Sequence, residues 1–385
     1  MSRNVVIVTA LVAVFLAGGL SPARGQATVT GQEVLAGKLL GVTGDPTTSI
    51  EASEVLALND QMRAFLKKNV NPGGTDVFRL QQLTDAIMGK THIRLEYDEN
   101  TRTAAETFRL QRGNCLSFTT MFVALARGAG LKADFQEVDI PPDWTTRRDV
   151  FVLNRHVNII VDVGAAGTRA VDFNIGDFKT TYDVEKISDK RAIAHFFNNM
   201  GVERMQEGDI VDAVAFYRRA IEESGNDFSP AWTNLGMLYR KHGHLEHAEV
   251  AYLQALEADK EDTVAMSNLV SLYEEMGDRE KAERYQKRVD KHRLHNPHLR
   301  FSLALEAFSN GEIDTAIGHL KYAIRKVDDE GKYYYLLGVC HLVKGDEQKA
   351  RRWLAKAERV AATDEERQKY STDFEALVLL SRERD

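Results

Sequence analysis

WTNLGMLYRKHGHLEHAEVAYLQA, residues 232–255, decides the architecture of half the chain. Trp232, Leu235, Gly236 and Tyr239 fall three, one and three residues apart, and after Gly243, Ala248, Tyr252 and Ala255 fall four and three apart. Spacings of three and four line one face of an α-helix. Gly243 separates the two faces where a tight turn disfavours a side chain. The stretch reads as two antiparallel helices: small residues let the backbones approach, and large ones fill the gaps between layers.

The pattern returns. Gly followed five residues later by Ala occurs at Gly208/Ala213, Gly243/Ala248, Gly277/Ala282, Gly311/Ala316 and Gly345/Ala350, with the glycines 35, 34, 34 and 34 residues apart. An array of five such hairpins from about residue 194 to 385 resembles the tetratricopeptide repeats, stacked into an all-α solenoid. Residues 364–382, with Phe374, Leu377, Val378 and Leu380, read as a capping helix. In that family the first helix of each repeat lines a concave groove. Asn199, Asn234 and Asn268 hold the same position in successive repeats, where paired amide hydrogen bonds could hold an extended protein or peptide partner. Ser302 and Leu336 end the ladder, and Phe301, Phe308 and Tyr335 make that end more apolar.

Composition narrows the function. At 385 residues the chain has room for two cores, and 43% hydrophobic residues suit a globular protein. A net charge of −7 without a basic stripe argues against nucleic acid as a partner. The N-terminus reads as an export signal: Arg3, an uncharged run from Val5 to Leu20, then Gly25-Gln26-Ala27 as a cleavage site. Loss of residues 1–27 removes Arg3 and Arg24 and takes the charge to −9. The expected location is exported and periplasmic, with membrane contact only if that segment is retained as an anchor. Two cysteines, Cys115 and Cys340, fall in different predicted domains, so no disulfide framework is expected. A lone thiol in an oxidising compartment needs a reason, and chemistry is one.

Residues 28–185 lack the 34-residue period. Helical patterns run over 52–68 and 75–90. Gly113-Asn114-Cys115 then opens an apolar helix with Phe118, Met121, Phe122 and Leu125. Strand patterns follow at 133–138, 157–163 and 170–173, the last two joined by a turn at 164–167. A charged stretch, Ser188-Asp189-Lys190-Arg191, marks the boundary with the repeats, expected at 185–193.

Helices, a Cys-bearing helix and then antiparallel strands make an α+β domain that resembles the transglutaminase-like fold, a relative of the papain-type cysteine proteases. The residues that carry the resemblance are Gly113-Asn114-Cys115, His156 at the start of a strand and Asp172 on the next, in family order with gaps of 41 and 16 residues. The resemblance implies a triad: Cys115 as nucleophile, His156 as base and Asp172 as the carboxylate that orients it. Two positions depart from the family. Asn158 stands where many members have an aromatic residue two after the His, and Phe173 stands where many have Pro after the Asp. Both departures weigh against protein cross-linking and leave amide hydrolysis open.

Elementary chemistry points the same way. A Cys in the first turn of a helix meets the positive end of the helix dipole, which favours thiolate. His156 can take the proton, and Asp172 can stabilise the imidazolium. The Cys115 N–H is one candidate oxyanion donor. No cofactor is required. His242, His244 and His247, and likewise His292, His295 and His298, read as solvated loop histidines and not as metal ligands. The alternative function is a non-catalytic periplasmic adaptor whose first domain braces the repeats.

Overall fold

In the computed structural model, which describes residues 29–44, 48–89, 94–138, 156–173, 184–361 and 363–382, side-chain caps decide where the N-terminal helices begin. Thr30 caps α1 (Gly31–Ala36), and Glu51 opens α2 (Ala52–Val55). Asn59 accepts from the Met62 N–H and starts α3 (Asp60–Asn69), so the single helix expected over 52–68 is two. Thr75 caps α4 (Asp76–Met88), and Thr103 caps α5 (Ala104–Leu110). Strands β1 (Glu96–Tyr97) and β2 (Arg112–Gly113) flank α5 and pair in parallel, Tyr97 opposite Gly113. Asn114 then caps α6 (Cys115–Gly128), whose residues Leu116 to Ala126 are all buried.

A four-stranded antiparallel sheet packs against α6. It comprises β3 (Lys132–Val138), β4 (His156–Asp162), β5 (Thr168–Val171) and β6 (Val184–Ile187) in the order β5-β4-β3-β6. Phe135 pairs with Ile159, and Ile159 with Val171. Alternation along the strands sends these three into the same core as the α6 side chains. The turn between β4 and β5 falls at Gly164–Gly167, closed by the Val163 N–H donating to the Gly167 carbonyl at 2.9 Å. The sequence reading did not anticipate β6, the short strand that pairs with β3.

Five hairpins follow: α7 (Asp189–Glu207) with α8 (Ile210–Glu223), α9 (Ser229–Lys241) with α10 (Leu245–Ala258), α11 (Thr263–Met276) with α12 (Arg279–His295), α13 (Pro297–Ser309) with α14 (Ile313–Lys326), and α15 (Gly331–Val343) with α16 (Glu347–Val360). Helix α17 (Asp364–Arg382) caps the stack and buries Tyr370, Phe374 and Val378. The five repeat glycines all sit between paired helices with φ from 76 to 86°, the left-handed region that favours glycine. Inside α9, Gly236 serves a different end. A Cβ there would stand 2.6 Å from the Tyr252 ring of α10, so the helix crossing depends on its absence.

The apolar core does not part at residues 185–193. One continuous cluster runs from Val34 through the sheet and the first three repeats to Val289. Polar contacts cross the same junction. Arg127 of α6 pairs with Asp189 of α7 at 2.6 and 2.8 Å, and the Tyr239 hydroxyl of α9 donates to the Val34 carbonyl at 2.7 Å. On β3, buried Glu137 accepts from Arg191 at 2.8 Å and lies 2.5 Å from His195 Nε2, both on α7. Beyond charge-rich α12 the core restarts as two smaller clusters, one from Ala304 to Cys340 and one from Tyr334 to Val378. Among the described residues no helix is long and apolar enough to cross a membrane, and the expected export signal at 1–27 lies outside them.

Candidate functional site around Cys115

Each residue of Gly113-Asn114-Cys115 has a local reason. A Cβ on Gly113 would meet the Ser117 Cβ at 2.7 Å, so only glycine lets the chain turn into α6 here. Asn114 is the cap: its Oδ1 accepts from the Ser117 N–H at 2.9 Å, and its Nδ2 donates to the Thr101 hydroxyl at 2.8 Å. Cys115 is the first residue of the helix and is partly exposed. That position faces the helix's unpaired N–H groups and the positive end of its dipole. Cys340 presents the opposite case. It is fully buried in α15, and burial pushes its thiol up to about 11.

The start of α6 is clamped to β4, which carries His156, and to the segment just after β5 that carries Asp172. One turn beyond Cys115, the Thr119 hydroxyl donates to the Val157 carbonyl at 3.0 Å, next to His156 on β4. Phe118 packs on Phe173, next to Asp172, with ring centroids 5.5 Å apart, and Phe122 adds a second contact at 6.0 Å. Phe173, noted in the sequence as a departure from the family, thus anchors the end of β5 in the core.

His156 opens β4 with its Cα opposite Val138; its side chain lies outside the described part of the structure. Half-buried Asp172 follows directly after β5, and its Oδ2 accepts from Asn158 Nδ2 at 3.2 Å. Asn158 is fully buried, and its Oδ1 has no partner among the described residues. Asn158 thus stands beside Asp172, one residue beyond the pair formed by Ile159 and Val171, and His156 precedes it by two residues on β4. The second departure, Asn158, therefore touches the carboxylate that the resemblance casts as the orienting member.

Tyr97 escaped the sequence reading. Its strand is two residues long and carries no periodic signal, yet pairing with Gly113 brings it close to Cys115 in the chain. Its ring is 66% exposed, and its hydroxyl is held above the usual tyrosine value, first by partial burial and then by the negative charge that Cys115 can carry. The loop after β1 is pinned by Asp98, which accepts from both Arg102 guanidinium nitrogens at 2.6 and 2.9 Å.

In the repeats, Asn199, Asn234 and Asn268 are all half-buried. Asn234 Nδ2 donates to Asn198 Oδ1 at 2.9 Å, so the ladder is partly tied within the protein. The apolar end is also engaged internally: Phe301 packs on Tyr333 with centroids 5.0 Å apart, and Tyr335 stacks on Tyr370 of the capping helix at 5.0 Å. In the second repeat, His244 and His247 both lie against the Tyr239 ring, with centroids 6.2 and 5.1 Å away. His242 Nδ1 lies 2.8 Å from the Leu238 carbonyl, and His244 Nε2 lies 3.2 Å from that of Leu39. Among the described residues, no group of His, Cys, Asp and Glu is arranged to hold a metal.

Comparison with known proteins names both parts. Residues 63–159 match the model of the transglutaminase-like superfamily, a span that includes Cys115 and His156 and stops before Asp172. Tetratricopeptide repeat models match residues 229–262, 264–291 and 301–365. The protein therefore combines a transglutaminase-like domain with C-terminal tetratricopeptide repeats. No curated protein matches the chain. Among solved structures it is similar to YrrB, a TPR protein with an unusual peptide-binding site, at 19% identity over 46% of this chain and 92% of that one, TM-score 0.25. MamA from Desulfovibrio magneticus RS-1 is 16% identical over 45% of this chain and 96% of its own, TM-score 0.25. PilF of Pseudomonas aeruginosa is 13% identical over 50% and 90%, TM-score 0.27. Likeness at that level says nothing about what this chain binds.

Proposed function

We propose that this protein is an exported, periplasmic enzyme that acts on an amide or peptide bond through Cys115, with the repeats recruiting the substrate protein or a partner. The Cys115 thiolate attacks the carbonyl carbon, and the carbonyl oxygen takes up negative charge near the Cys115 N–H. His156 returns the proton to the departing nitrogen as the C–N bond breaks. A thioester remains, and attack by water or an amine releases the acyl group and restores the thiol. Asp172 holds His156 in the useful tautomer. The observation that carries the reading is the double clamp of α6 onto β4 and onto the segment after β5, through Thr119 on Val157 and Phe118 on Phe173. Recruitment would use the first-helix face with Asn199, Asn234 and Asn268. The bond from Asn234 to Asn198 still leaves one amide N–H and a carbonyl for a peptide backbone.

The second reading is the adaptor, and one feature favours it. The first domain shares a continuous core with the first three repeats, as a brace would. An amide-based electrophilic probe separates the two readings. The enzyme reading expects rapid labelling at Cys115 that is lost in Cys115→Ala and reduced in His156→Ala. Slow labelling of Cys115, at the pace of an ordinary surface thiol and indifferent to His156, would leave the adaptor.

A further inference from the structure

The loop that borders Cys115 is held from outside its own domain. Glu203 lies on α7, the first helix of the first repeat, one turn beyond Asn199. Its Oε1 accepts from the Thr101 backbone N–H at 2.7 Å, across 102 residues of sequence. Thr101 is 5% exposed, so this N–H has almost no water to turn to if the carboxylate leaves. The Thr101 hydroxyl in turn accepts from Asn114 Nδ2 at 2.8 Å, and Asn114 Oδ1 caps the helix that begins with Cys115. The adjoining Arg102 N–H donates to the Ser117 hydroxyl at 2.9 Å, which ties the same loop to the first turn of α6 a second time. A run of three hydrogen bonds thus connects a repeat helix, through Thr101 and Asn114, to the first turn of the helix that carries Cys115.

We infer that Glu203 is a positioning residue for Cys115: through Thr101 and Asn114 the first repeat fixes the helix start that activates the thiol, so the state of the repeat array bears on the reactivity of the site. The inference rests on the reading of Cys115 as the nucleophile. It assigns the solenoid a second role beside recruitment, because α7 carries both Asn199 of the groove and Glu203 of the latch.

The test is the pH–rate profile of Cys115 alkylation by iodoacetamide in the full chain. Glu203→Ala removes the acceptor, and the midpoint should rise toward that of a free thiol, with the rate at pH 7 falling about three- to tenfold. Glu203→Gln keeps a carbonyl acceptor for the Thr101 N–H and should restore the wild-type midpoint. A purely electrostatic influence predicts the reverse pattern, since loss of a nearby negative charge lowers a thiol midpoint in Ala and Gln alike. Thr101→Val keeps the backbone N–H but cuts the link to Asn114. It should reproduce the Glu203→Ala shift, and it gives the answer if Glu203→Ala folds poorly. An unmoved midpoint in Glu203→Ala and Thr101→Val, or a Gln variant that behaves like Ala, overturns the inference. His156→Ala run in parallel keeps the two ideas apart. If it leaves the Cys115 midpoint unchanged, the triad falls, whatever Glu203 does.

Discussion

Residues 29–291 and residues 297–382 share the same kind of helical hairpin and hold together differently. In the first stretch, three repeats merge with the sheet domain into one apolar core, and buried polar links cross the seam, with Glu137 meeting Arg191 and His195. In the second, two repeats and the capping helix rest on two smaller clusters, beyond a helix whose sequence, REKAERYQKRVDKHRLH, offers little to bury. A repeat period marks where structural units start and end. It does not mark where cooperativity ends, which depends on which apolar faces meet. The comparison predicts regionally separate responses to mutation, readable by peptide-resolved hydrogen exchange.

Glu137→Ala should give the largest effect. It strands the Arg191 guanidinium and His195 at a buried junction and should destabilise the 29–291 region by about 3–5 kcal/mol, while exchange in 297–382 stays unchanged. Equal loss of protection in both regions would show a single cooperative unit and break the comparison. The effect should also depend on pH. Burial alone would raise the Glu137 carboxyl, but hydrogen bonds and charge from His195 and then Arg191 outweigh it and hold the group at about 2, below its ordinary 4.5. A group lowered on folding stabilises fully above its unfolded value and loses that contribution as pH falls. The gap between wild type and Glu137→Ala should therefore narrow steadily from pH 5 toward pH 2.

Gly236→Ala should be the next in size. The added methyl would sit 2.6 Å from the Tyr252 ring and 3.2 Å from the Ala251 Cβ, and the crossing of α9 and α10 must open to admit it. Overpacking of this kind destabilises by about 1–3 kcal/mol, again confined to the first region. Gly318→Ala should show the smallest effect, with the opposite sign. Gly318 lies in α14 with open space where a Cβ would go, so alanine should stabilise the second region by about 0.5–1 kcal/mol through helix propensity and leave the first untouched. A loss of stability there would mean that α14 packs against something outside the chain.

The sequence reading went furthest where a period exists. The glycine spacing located all five turns, and the apolar run after Gly113 located α6 with its N-terminus at Cys115. Strands β3, β4 and β5 appeared within two residues of their expected starts. Asn59 lies inside the 52–68 pattern, and its short polar side chain is what starts a new helix there. Strand β6, Val184-Glu185-Lys186-Ile187, shows no apolar–polar alternation, and the pair of two-residue strands near Cys115 is too short for one to register. Tyr97, Thr101 and Glu203 were out of reach for another reason. Their importance comes from contacts that span up to 102 residues, and no local spacing encodes these. Asn158 and Phe173 were visible as departures from a family pattern, but only the packing reveals one as a donor to Asp172 and the other as an anchor beneath it.

The claim that most needs testing is that Cys115 is activated by His156 and Asp172. Alkylation at pH 7 in the folded protein tests it directly. Cys115 should react faster than Cys340 by an order of magnitude or more, since the buried Cys340 thiol is held at about 11. His156→Ala should slow Cys115 most, and Asp172→Ala should slow it less, because in the proposed triad Asp172 acts only through His156. Wild type, Asp172→Ala and His156→Ala should therefore fall in that order of decreasing rate. Equal Cys115 rates in all three, each shown to be folded, would contradict the account and leave a transglutaminase-like domain that braces repeats without chemistry.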